Sequence, residues 1–366
     1  MTFSRLRFLT ASAITALALT CCSDSEPVYH QNDEPQRLSD WNLFAMRGGE
    51  LIPSPASQVF WPANQLFSDY AHKLRTLWMP EGSMAQLVDG EIEYPVGTIL
   101  SKTFFYPLDN DGSMLKTIDN GVMSIDLKSN TLIETRLLVR RETNWSAFPY
   151  VWNEEQSEAF LRVAGASESI DLKSDTGNFE FVYFVPNENQ CSGCHVTSHP
   201  DGDMHPLGAI ASQLSSKIFP AIGDSYLQTE VLRERGWLDV VPVRLNTISW
   251  QDESAAIEDR APAYLNIHCG HCHNPEGPAD TSALLLDGSH ALPINMGVCK
   301  PPVAAGGGTG DNLYSIVPGS PEQSILLYRM KSSELDEMMP ELGRSLIHDE
   351  GIELINRWIS VMQGSC

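Results

Sequence analysis

Basic residues are scarce in this chain. Its 366 residues contain 24 Lys and Arg against 47 Asp and Glu, which gives a formal net charge of −23. A surface of this sign repels the phosphate backbone of nucleic acids and anionic lipid headgroups. We therefore exclude nucleic acid and peripheral membrane binding, and we expect protein partners to present a basic surface.

Long apolar runs are also scarce. Only residues 8–19, behind two arginines, are apolar enough to suggest a membrane segment, so a polytopic membrane protein is excluded. The charged start and short apolar run predict a signal peptide over residues 1–21. The following Cys22 resembles the acylated cysteine of bacterial lipoproteins. We expect an exported protein on the periplasmic side, lipid-anchored at Cys22, with Cys21 as the alternative acylated residue and a plain cleaved signal as the alternative to lipidation.

The next part of the chain is acidic and then rich in strand-forming residues. Residues 22–40 have few apolar side chains, which predicts a flexible tether. Residues 41–186 contain short β-branched and aromatic runs separated by Asn, Asp and Gly, at 94–100, 102–106, 122–127, 132–139 and 179–185. These runs predict an N-terminal all-β domain, a sandwich or a jelly roll, without a catalytic constellation of its own.

Four of the eight cysteines form two C-x-x-C-H motifs. The motifs are Cys191-Ser192-Gly193-Cys194-His195 and Cys269-Gly270-His271-Cys272-His273. Two thiols at this spacing can each add to a vinyl group of one haem, while the following His reaches the iron as its proximal ligand. The sequence therefore predicts two haem c groups, with Cys191, Cys194, Cys269 and Cys272 as attachment sites and His195 and His273 as iron ligands.

Two other interpretations of paired cysteines fit less well. A thioredoxin-like site needs a βαβ context, which neither motif has. A four-cysteine zinc site is compatible with the spacing, but zinc knuckles normally lie closer together in the sequence and need no His after each pair.

The C-terminal part resembles a class I cytochrome c over residues 259–366. In this resemblance residues 259–268 form the helix that leads into the haem motif. A capping box predicts a second helix over 321–330, and apolar spacing predicts a third over 352–362. The resemblance implies that the third helix packs across the first. Residues 187–258 are then a first haem-binding segment, and both segments are expected to be mainly α-helical.

Met339 is the predicted distal ligand of the second haem. Pro340 pushes the residue before it into extended backbone, from which the Met339 thioether can face the iron. Met338 and His290 are the alternatives at this position.

The distal side of the first haem is less defined. Met204 and His205 follow His195 closely, yet far enough along an extended chain to pass around the porphyrin edge. An open sixth position is a third alternative, which would allow ligand or substrate chemistry at that iron. The two remaining cysteines, Cys299 and Cys366, are expected to form a disulfide in an oxidising compartment.

Beyond single domains, the chain resembles a family of exported bacterial dihaem c-type cytochromes of uncharacterised role. The resemblance covers about residues 40–366 and includes the runs Gly97-Thr98-Ile99-Leu100-Ser101-Lys102-Thr103-Phe104, Glu134-Thr135-Arg136-Leu137-Leu138-Val139-Arg140, Tyr150-Val151-Trp152-Asn153-Glu154 and Met296-Gly297-Val298-Cys299-Lys300-Pro301-Pro302. It implies a β-rich N-terminal domain fused to two haem-binding segments, and it does not supply a substrate.

These features predict single-electron transfer through two haems whose potentials differ with their axial ligands. One alternative is a haem oxidoreductase with an open first haem as its catalytic centre. Another is a ligand-binding module with accessory haems, suggested by Trp61, Trp78, Trp145 and Trp152 of the β-rich domain. The expected partners are redox proteins, with membrane contact only through the lipid anchor.

Overall fold

The structure is a computed structural model, and it describes residues 26–215, 217–218, 226–241, 247–288, 292–303 and 305–366. The predicted signal peptide, the predicted lipidation site Cys22 and the alternative iron ligand His290 lie outside the described residues. Within the described ranges, no helix combines the length and apolar character needed to cross a membrane.

Most strands precede residue 186. In chain order the strands are β1 (Phe44–Arg47), β2 (Glu50–Pro53), β3 (Gln58–Val59), β4 (His72–Trp78), β5 (Gln86–Val88), β6 (Glu91–Glu93), β7 (Ile99–Pro107), β8 (Met114–Leu115), β9 (Ile125–Asp126), β10 (Asn130–Arg140), β11 (Trp145–Trp152), β12 (Ala159–Leu161), β13 (Ala166–Ser174), β14 (Gly177–Val185), β15 (Lys217–Ile218) and β16 (Tyr226–Leu227).

A six-stranded antiparallel sheet, in the order β12-β11-β10-β7-β4-β3, forms the centre of this region. Its strands follow chain order, but β5 and β6 separate β4 from β7 along the chain, and β8 and β9 separate β7 from β10. Two three-stranded sheets, β1-β2-β9 and β14-β13-β8, pack against it through shared apolar cores. The prediction of a β-rich N-terminal region is confirmed, in the form of several packed sheets.

The two faces of the central sheet cover different cores, because side chains alternate along each strand. One face contributes Leu74 and Leu137 to a core with the β1-β2-β9 sheet. On the opposite face, Leu100 packs with Leu214 from the C-terminal half, and Phe104 packs against β13 and β14. The stretch of this second face between Leu100 and Phe104 becomes part of the candidate site.

Residues 27–40 lie against the central sheet, so the prediction of a flexible tether is wrong for this stretch. Trp41 is fully buried, and its Nε1 donates a hydrogen bond to Tyr150 Oη at 2.7 Å. The Tyr150 hydroxyl in turn donates to the carbonyl oxygen of Pro35 at 2.8 Å. Burial of Leu38 and Trp41 anchors a stretch whose acidic composition alone indicated an unfolded chain.

A few short helices occupy the C-terminal half. They are α1 (Glu188–His195), α2 (Ala211–Leu214), α3 (Gln228–Glu234), α4 (Ile257–Leu265), α5 (Ile325–Lys331) and α6 (Asp349–Val361), with 3₁₀ turns at Leu38–Trp41, Asp280–Ser282, Gly306–Thr309 and Pro321–Gln323 and a π-type turn at Asn266–Gly270. In the described parts of residues 187–258, loops outnumber helical residues, in contrast to the mainly helical segment expected. These residues cover the second face of the central sheet, and loop residues as well as helical ones contribute to the apolar core there.

Helices α4 and α6 cross within one apolar core, as the resemblance of residues 259–366 implied. At the crossing Tyr264 lies so close to Gly351 that a Cβ atom built on Gly351 falls 2.1 Å from the Tyr264 hydroxyl oxygen. The helix expected from residue 321 begins later, at Ile325, because Pro321–Gln323 form a 3₁₀ turn and Ser324 has extended backbone.

The predicted disulfide between Cys299 and Cys366 is confirmed, with Cα atoms 5.3 Å apart. It ties the last residue of the chain to the loop that precedes α5, across a sequence separation of 67 residues. The chain end beyond α6 is therefore fixed covalently to the helical part.

Residues 64–70, between β3 and β4, form a connecting loop that joins the sheet to the helical part. The Asn64 side-chain oxygen accepts a hydrogen bond from the Trp250 N–H at 2.9 Å. Farther along, the Phe67 N–H donates to Nε2 of His268 at 3.0 Å. These two bonds join the connecting loop to one residue before α4 and to one residue after it.

Asp69 gives the connecting loop a second attachment. This carboxylate is 3% exposed, and its Oδ1 accepts the N–H groups of Ser345 and Leu346 at 2.7 and 2.6 Å. Burial raises the pKa of Asp69 to about 6, although the two backbone donors oppose the rise. The segment that precedes α6 is thereby bound to the sheet.

Candidate functional site

The first motif lies on α1, directly after the last strand of the β-rich region. The Asn187 side chain accepts the Gln190 N–H at 2.9 Å, and the Gln190 side chain accepts the Asn187 N–H at 3.0 Å. This capping box satisfies two free donors of the helix terminus, which fixes where the helix begins. Cys191, Cys194 and His195 follow on the same helix, all half-buried.

The imidazole of His195 is held by the backbone downstream of the motif. Its Nδ1 lies 2.6 Å from the carbonyl oxygen of His205. An antiparallel β-bridge between Val196 and Met204 holds the chain between them. A backbone acceptor at Nδ1 selects the tautomer in which Nε2 can bind a metal. Among the described residues that line the adjoining cavity, neither Met204 nor His205 occurs. Neither distal-ligand candidate of the first haem therefore lines this cavity.

The second motif follows α4 through the π-type turn Asn266–Gly270. Gly270 lies so close to Asp287 that a Cβ atom on Gly270 falls 2.8 Å from the Asp287 Cα, so only a residue without a side chain fits here. The Nδ1 of His273 lies 3.4 Å from the Ser282 hydroxyl. Burial lowers the pKa of His273 to about 4, so this imidazole is neutral at pH 7 and can act as a metal ligand.

The two motifs touch each other. The ligand atoms of Cys194, His271 and Cys272 lie within 4.8 Å of one another, and the Cys272 thiol lies 3.7 Å from the Gly193 carbonyl oxygen. A hydrogen bond from Cys272 lowers the pKa of Cys194 to about 4, with a smaller contribution from His271. Sulfur and imidazole donors of this kind are the ligands that zinc prefers.

The first cysteine of each motif lies apart from this group, beside a basic side chain. Burial raises the pKa of Cys191, while Arg136 and Lys102 oppose the rise. Burial raises the pKa of Cys269 to about 12, while Arg344 opposes it. A single four-cysteine site is therefore not the arrangement that the described residues adopt.

A cavity of about 230 Å³ lies between the central sheet and both motifs. The motif residues in its lining are Cys191, Cys194, His195, Cys269 and His271, and its apolar lining includes Phe60, Leu100, Ile267, Met330 and Leu342. One buried water needs only ~10–15 Å³, and a structural zinc ion is enclosed by its four ligands. The cavity therefore suits a group much larger than a metal ion.

Met339 lines this cavity, whereas Met338 is 4% exposed and does not belong to the lining. Arg344 holds the loop that carries both methionines. Its guanidinium donates to four backbone carbonyl oxygens, those of Met339, Ser332, Arg329 and Leu346, at 3.0, 2.9, 3.3 and 3.2 Å. This buried cation therefore fixes the backbone from which Met339 reaches the cavity.

His268 and His348 also line the cavity, and no spacing in the sequence points to them. His268 stacks on Tyr264 with ring centroids 4.0 Å apart, and His348 stacks on Phe67 at 4.2 Å. The Tyr264 hydroxyl lies 3.0 Å from Nδ1 of His348. Only the crossing of α4 and α6 over the connecting loop brings these rings together.

Three basic side chains form a cation row on the sheet wall of the cavity. In the strand register Arg75 of β4 lies opposite Lys102 of β7, and Lys102 lies opposite Arg136 of β10. Like charges directly opposite one another destabilise a sheet. Glu134 is fully buried and accepts two hydrogen bonds from the Arg136 guanidinium, at 2.8 and 2.5 Å. This row was not predicted, since strand register cannot be read from the sequences of single strands.

Three of the four tryptophans that suggested a ligand-binding surface are buried core residues, and Trp61 is half-buried against one of these cores. Trp78 and Trp152 belong to the core under the β1-β2-β9 sheet, and Trp145 belongs to the core on the opposite face. The Trp61 ring packs directly over Gly121. The motivation for a binding module with accessory haems therefore fails for these four side chains.

Comparisons with protein-family models, with curated proteins and with solved structures found no match.

Proposed function

We propose that the chain binds two haem c groups and passes single electrons between them and external redox partners. The observation that carries the proposal is the shared cavity, which both motifs line and which is larger than a metal ion needs. Covalently attached haem would supply an iron centre for one-electron transfer, with a potential set by its axial ligands and surroundings.

Each residue of the motifs has a separate role in this proposal. Cys191 and Cys194 hold the first haem, and Cys269 and Cys272 hold the second. The proximal ligands are His195, oriented by its bond to the His205 carbonyl, and His273. A fixed neutral imidazole binds iron without first losing a proton.

We assign Met339 as the distal ligand of the second haem. Its place in the cavity lining supports this choice over the buried Met338. The resemblance of residues 259–366 to a class I cytochrome c agrees with a methionine-bearing loop between α5 and α6 and with the crossing of α4 and α6.

The test is covalent haem content. The protein is produced in a bacterium that matures c-type cytochromes, extracted with acid acetone and weighed intact. We expect two haem masses on the polypeptide, one fewer after Cys191→Ala with Cys194→Ala, and one fewer after Cys269→Ala with Cys272→Ala. Cys299→Ala with Cys366→Ala is the matched control and retains both. A colourless polypeptide of unmodified mass would overturn the proposal.

Zinc binding is a second candidate, favoured by the Cys194, His271 and Cys272 group. The variant His271→Ala separates the two candidates, because His271 belongs to the zinc ligand set and has no role in haem attachment. A haem protein keeps both haem masses in this variant. A zinc protein has one zinc ion per chain by native mass spectrometry, and loses it on the same substitution.

An oxidoreductase with an open first iron is a third candidate, favoured by the absence of Met204 and His205 from the cavity lining. Optical spectra with CO, on the reduced protein, distinguish it from electron transfer alone. Binding to the first haem of the unmodified protein indicates an open position, and unchanged spectra indicate a sixth ligand.

We further propose that the protein is exported and lipid-anchored at Cys22, and that its redox partners present basic surfaces. The formal net charge of −23 supports the last point. Electron transfer to such a partner is expected to slow as salt screens the attraction.

A further inference from the structure

The two motifs meet through their second cysteines. The ligand atoms of Cys194, His271 and Cys272 lie within 4.8 Å of one another, although the two motifs are far apart in the sequence. The Cys272 thiol also lies 3.7 Å from the carbonyl oxygen of Gly193, the residue before Cys194. The first cysteine of each motif does not belong to this group. The contact therefore involves one particular side of each motif.

The fold around the motifs holds them in this position. In the loop after the first motif, the His199 N–H donates to the carbonyl oxygen of Glu276, in the loop after the second, at 2.8 Å. Helix α1 is fixed at its start by a capping box, and the second motif is fixed by the close approach of Gly270 to Asp287. None of these contacts uses a thiol, so the meeting of the two sulfurs does not depend on an attraction between them.

We propose that Cys194 and Cys272 hold the two haems against each other at their thioether edges, so that the haems form one coupled redox unit rather than two independent centres. The inference rests on the proposed function, since it needs haem at both motifs. It goes further than that function, because two attached haems that lie apart would exchange electrons without such coupling.

The chemistry of attachment places the haem edges at the sulfurs. The sulfur bonds to the vinyl carbon next to the ring and the thiol hydrogen adds to the outer carbon, so the addition is redox-neutral. Each porphyrin then begins one carbon atom beyond its sulfur. Because the Cys194 and Cys272 sulfurs lie within 4.8 Å of each other, the two rings meet at the edges that carried these vinyl groups.

Haems in contact affect each other's potential through their charge. Each iron gains one positive charge on oxidation, and a ferric neighbour opposes the loss of the second electron. In a protein interior this repulsion shifts the equilibrium between adjacent charges by about tenfold. The haem that is oxidised second should therefore have a potential about 59 mV above that of the same haem alone.

The experiment compares the holoprotein with variants that each lack two cysteines. These are Cys191→Ala with Cys194→Ala, Cys269→Ala with Cys272→Ala, and Cys299→Ala with Cys366→Ala. The first two retain a single haem each, and the third is the matched control that keeps both haems. Haem content is weighed on every sample.

Circular dichroism in the Soret band, on the fully reduced proteins, is the first readout. Electronic transitions of two haems in contact mix, which gives a signal with one positive and one negative lobe. We expect this signal in the unmodified protein and in the matched control. It should be missing from the sum of the two single-haem spectra. Redox titration of the same samples measures the shift of about 59 mV.

Electron paramagnetic resonance of the unmodified protein needs no variant, so a misfolded variant does not end the test. The haem ligated by Met339 is reduced first, because a thioether favours ferrous iron. Low-spin ferrous iron has no unpaired electron. The lines of the remaining ferric haem should therefore be narrower in the protein reduced by one electron than in the fully ferric protein.

Three results would overturn the inference. The first is a Soret spectrum of the unmodified protein equal to the sum of the two single-haem spectra. The second is a pair of potentials that the single-haem variants leave unchanged, and the third is an equal line width in the half-reduced and fully ferric proteins. Two haem masses with any of these results leave the proposed function standing, whereas absence of haem by mass overturns that function itself.

Discussion

The two C-x-x-C-H motifs have the same local pattern but different supports. The first lies on α1, which has no fully buried residue and rests beside a charged sheet wall. The second continues α4, whose Tyr264 and Leu265 belong to an apolar helical core. Because haem potentials depend on ligands, charge and burial, identical motifs in these two settings should give unequal centres. The surroundings, and not the motif, make the sites different.

The largest expected difference between the two sites is thioether ligation, proposed only for the second. Met339→Ala should abolish the near-infrared sulfur-to-iron charge-transfer band and let this haem bind CO. Met338→Ala should keep the band and cost about 2–5 kcal/mol of folding stability, because a buried side chain is lost. The reverse pattern would transfer the assignment to Met338. A band that survives both substitutions would mean that neither methionine is the ligand.

The disulfide should stabilise the second site and leave the first unaffected. Replacing Cys299 and Cys366 by serine removes a link across 67 residues and should lower the free energy of unfolding by about 4 kcal/mol. Urea unfolding measures the loss, and amide hydrogen exchange locates it. We expect faster exchange in α5 and α6 but not in α1. Equal acceleration in α1 would contradict the separation of the two sites.

The Asp69 contact between sheet and helices should depend on pH. Its folded-state pKa of about 6 exceeds the ordinary value of 3.8, so its contribution to stability is fully present below pH 3.8 and is lost as the pH rises through 6. Asp69→Asn keeps an oxygen acceptor without the charge. The stability of this variant relative to the unmodified protein should therefore increase between pH 4 and pH 7, by about 3 kcal/mol at most.

Urea unfolding at both pH values measures this change. Asp33→Asn, at an exposed acid near the N-terminus, controls for the loss of one negative charge. The same difference between Asp69→Asn and the unmodified protein at pH 4 and pH 7 would contradict the prediction.

The smallest expected effect concerns the α4–α6 crossing beside the second motif. Gly351→Ala places a methyl group against the Tyr264 hydroxyl, and overpacking of this kind costs about 1–3 kcal/mol. Gly307→Ala is the matched control, because no atom lies within 4 Å of an added Cβ there. Thermal unfolding should separate the two variants. Equal stability would mean that the helices adjust without cost.

Local pattern was enough to predict some strands and not others. The runs at 102–106 and 132–139 became parts of β7 and β10, because alternating side chains there face two different environments. Strand β4 was missed, since all of its residues are buried and it carries Lys73 and Arg75 on the cavity side, so it has neither alternation nor an apolar sequence.

The candidate site likewise has features that the sequence predicted and features that it did not. Both motifs were predicted from residues close together in the sequence, as was Met339. The cation row needs the register of three strands, and His348 needs the crossing of two helices over the connecting loop. Neither arrangement has a short-range signal in the sequence, because each depends on residues far apart along the chain.

The connecting loop at residues 64–70 makes the helical part depend on the β-rich region. If residues 259–366 were expressed alone, His268 would lose the Phe67 N–H, and the N–H groups of Ser345 and Leu346 would lose Asp69. Buried polar groups left without partners are unfavourable. The helical part is thus not an independent domain that can be moved to another protein. A fusion that replaced the β-rich region would have to supply an equivalent loop.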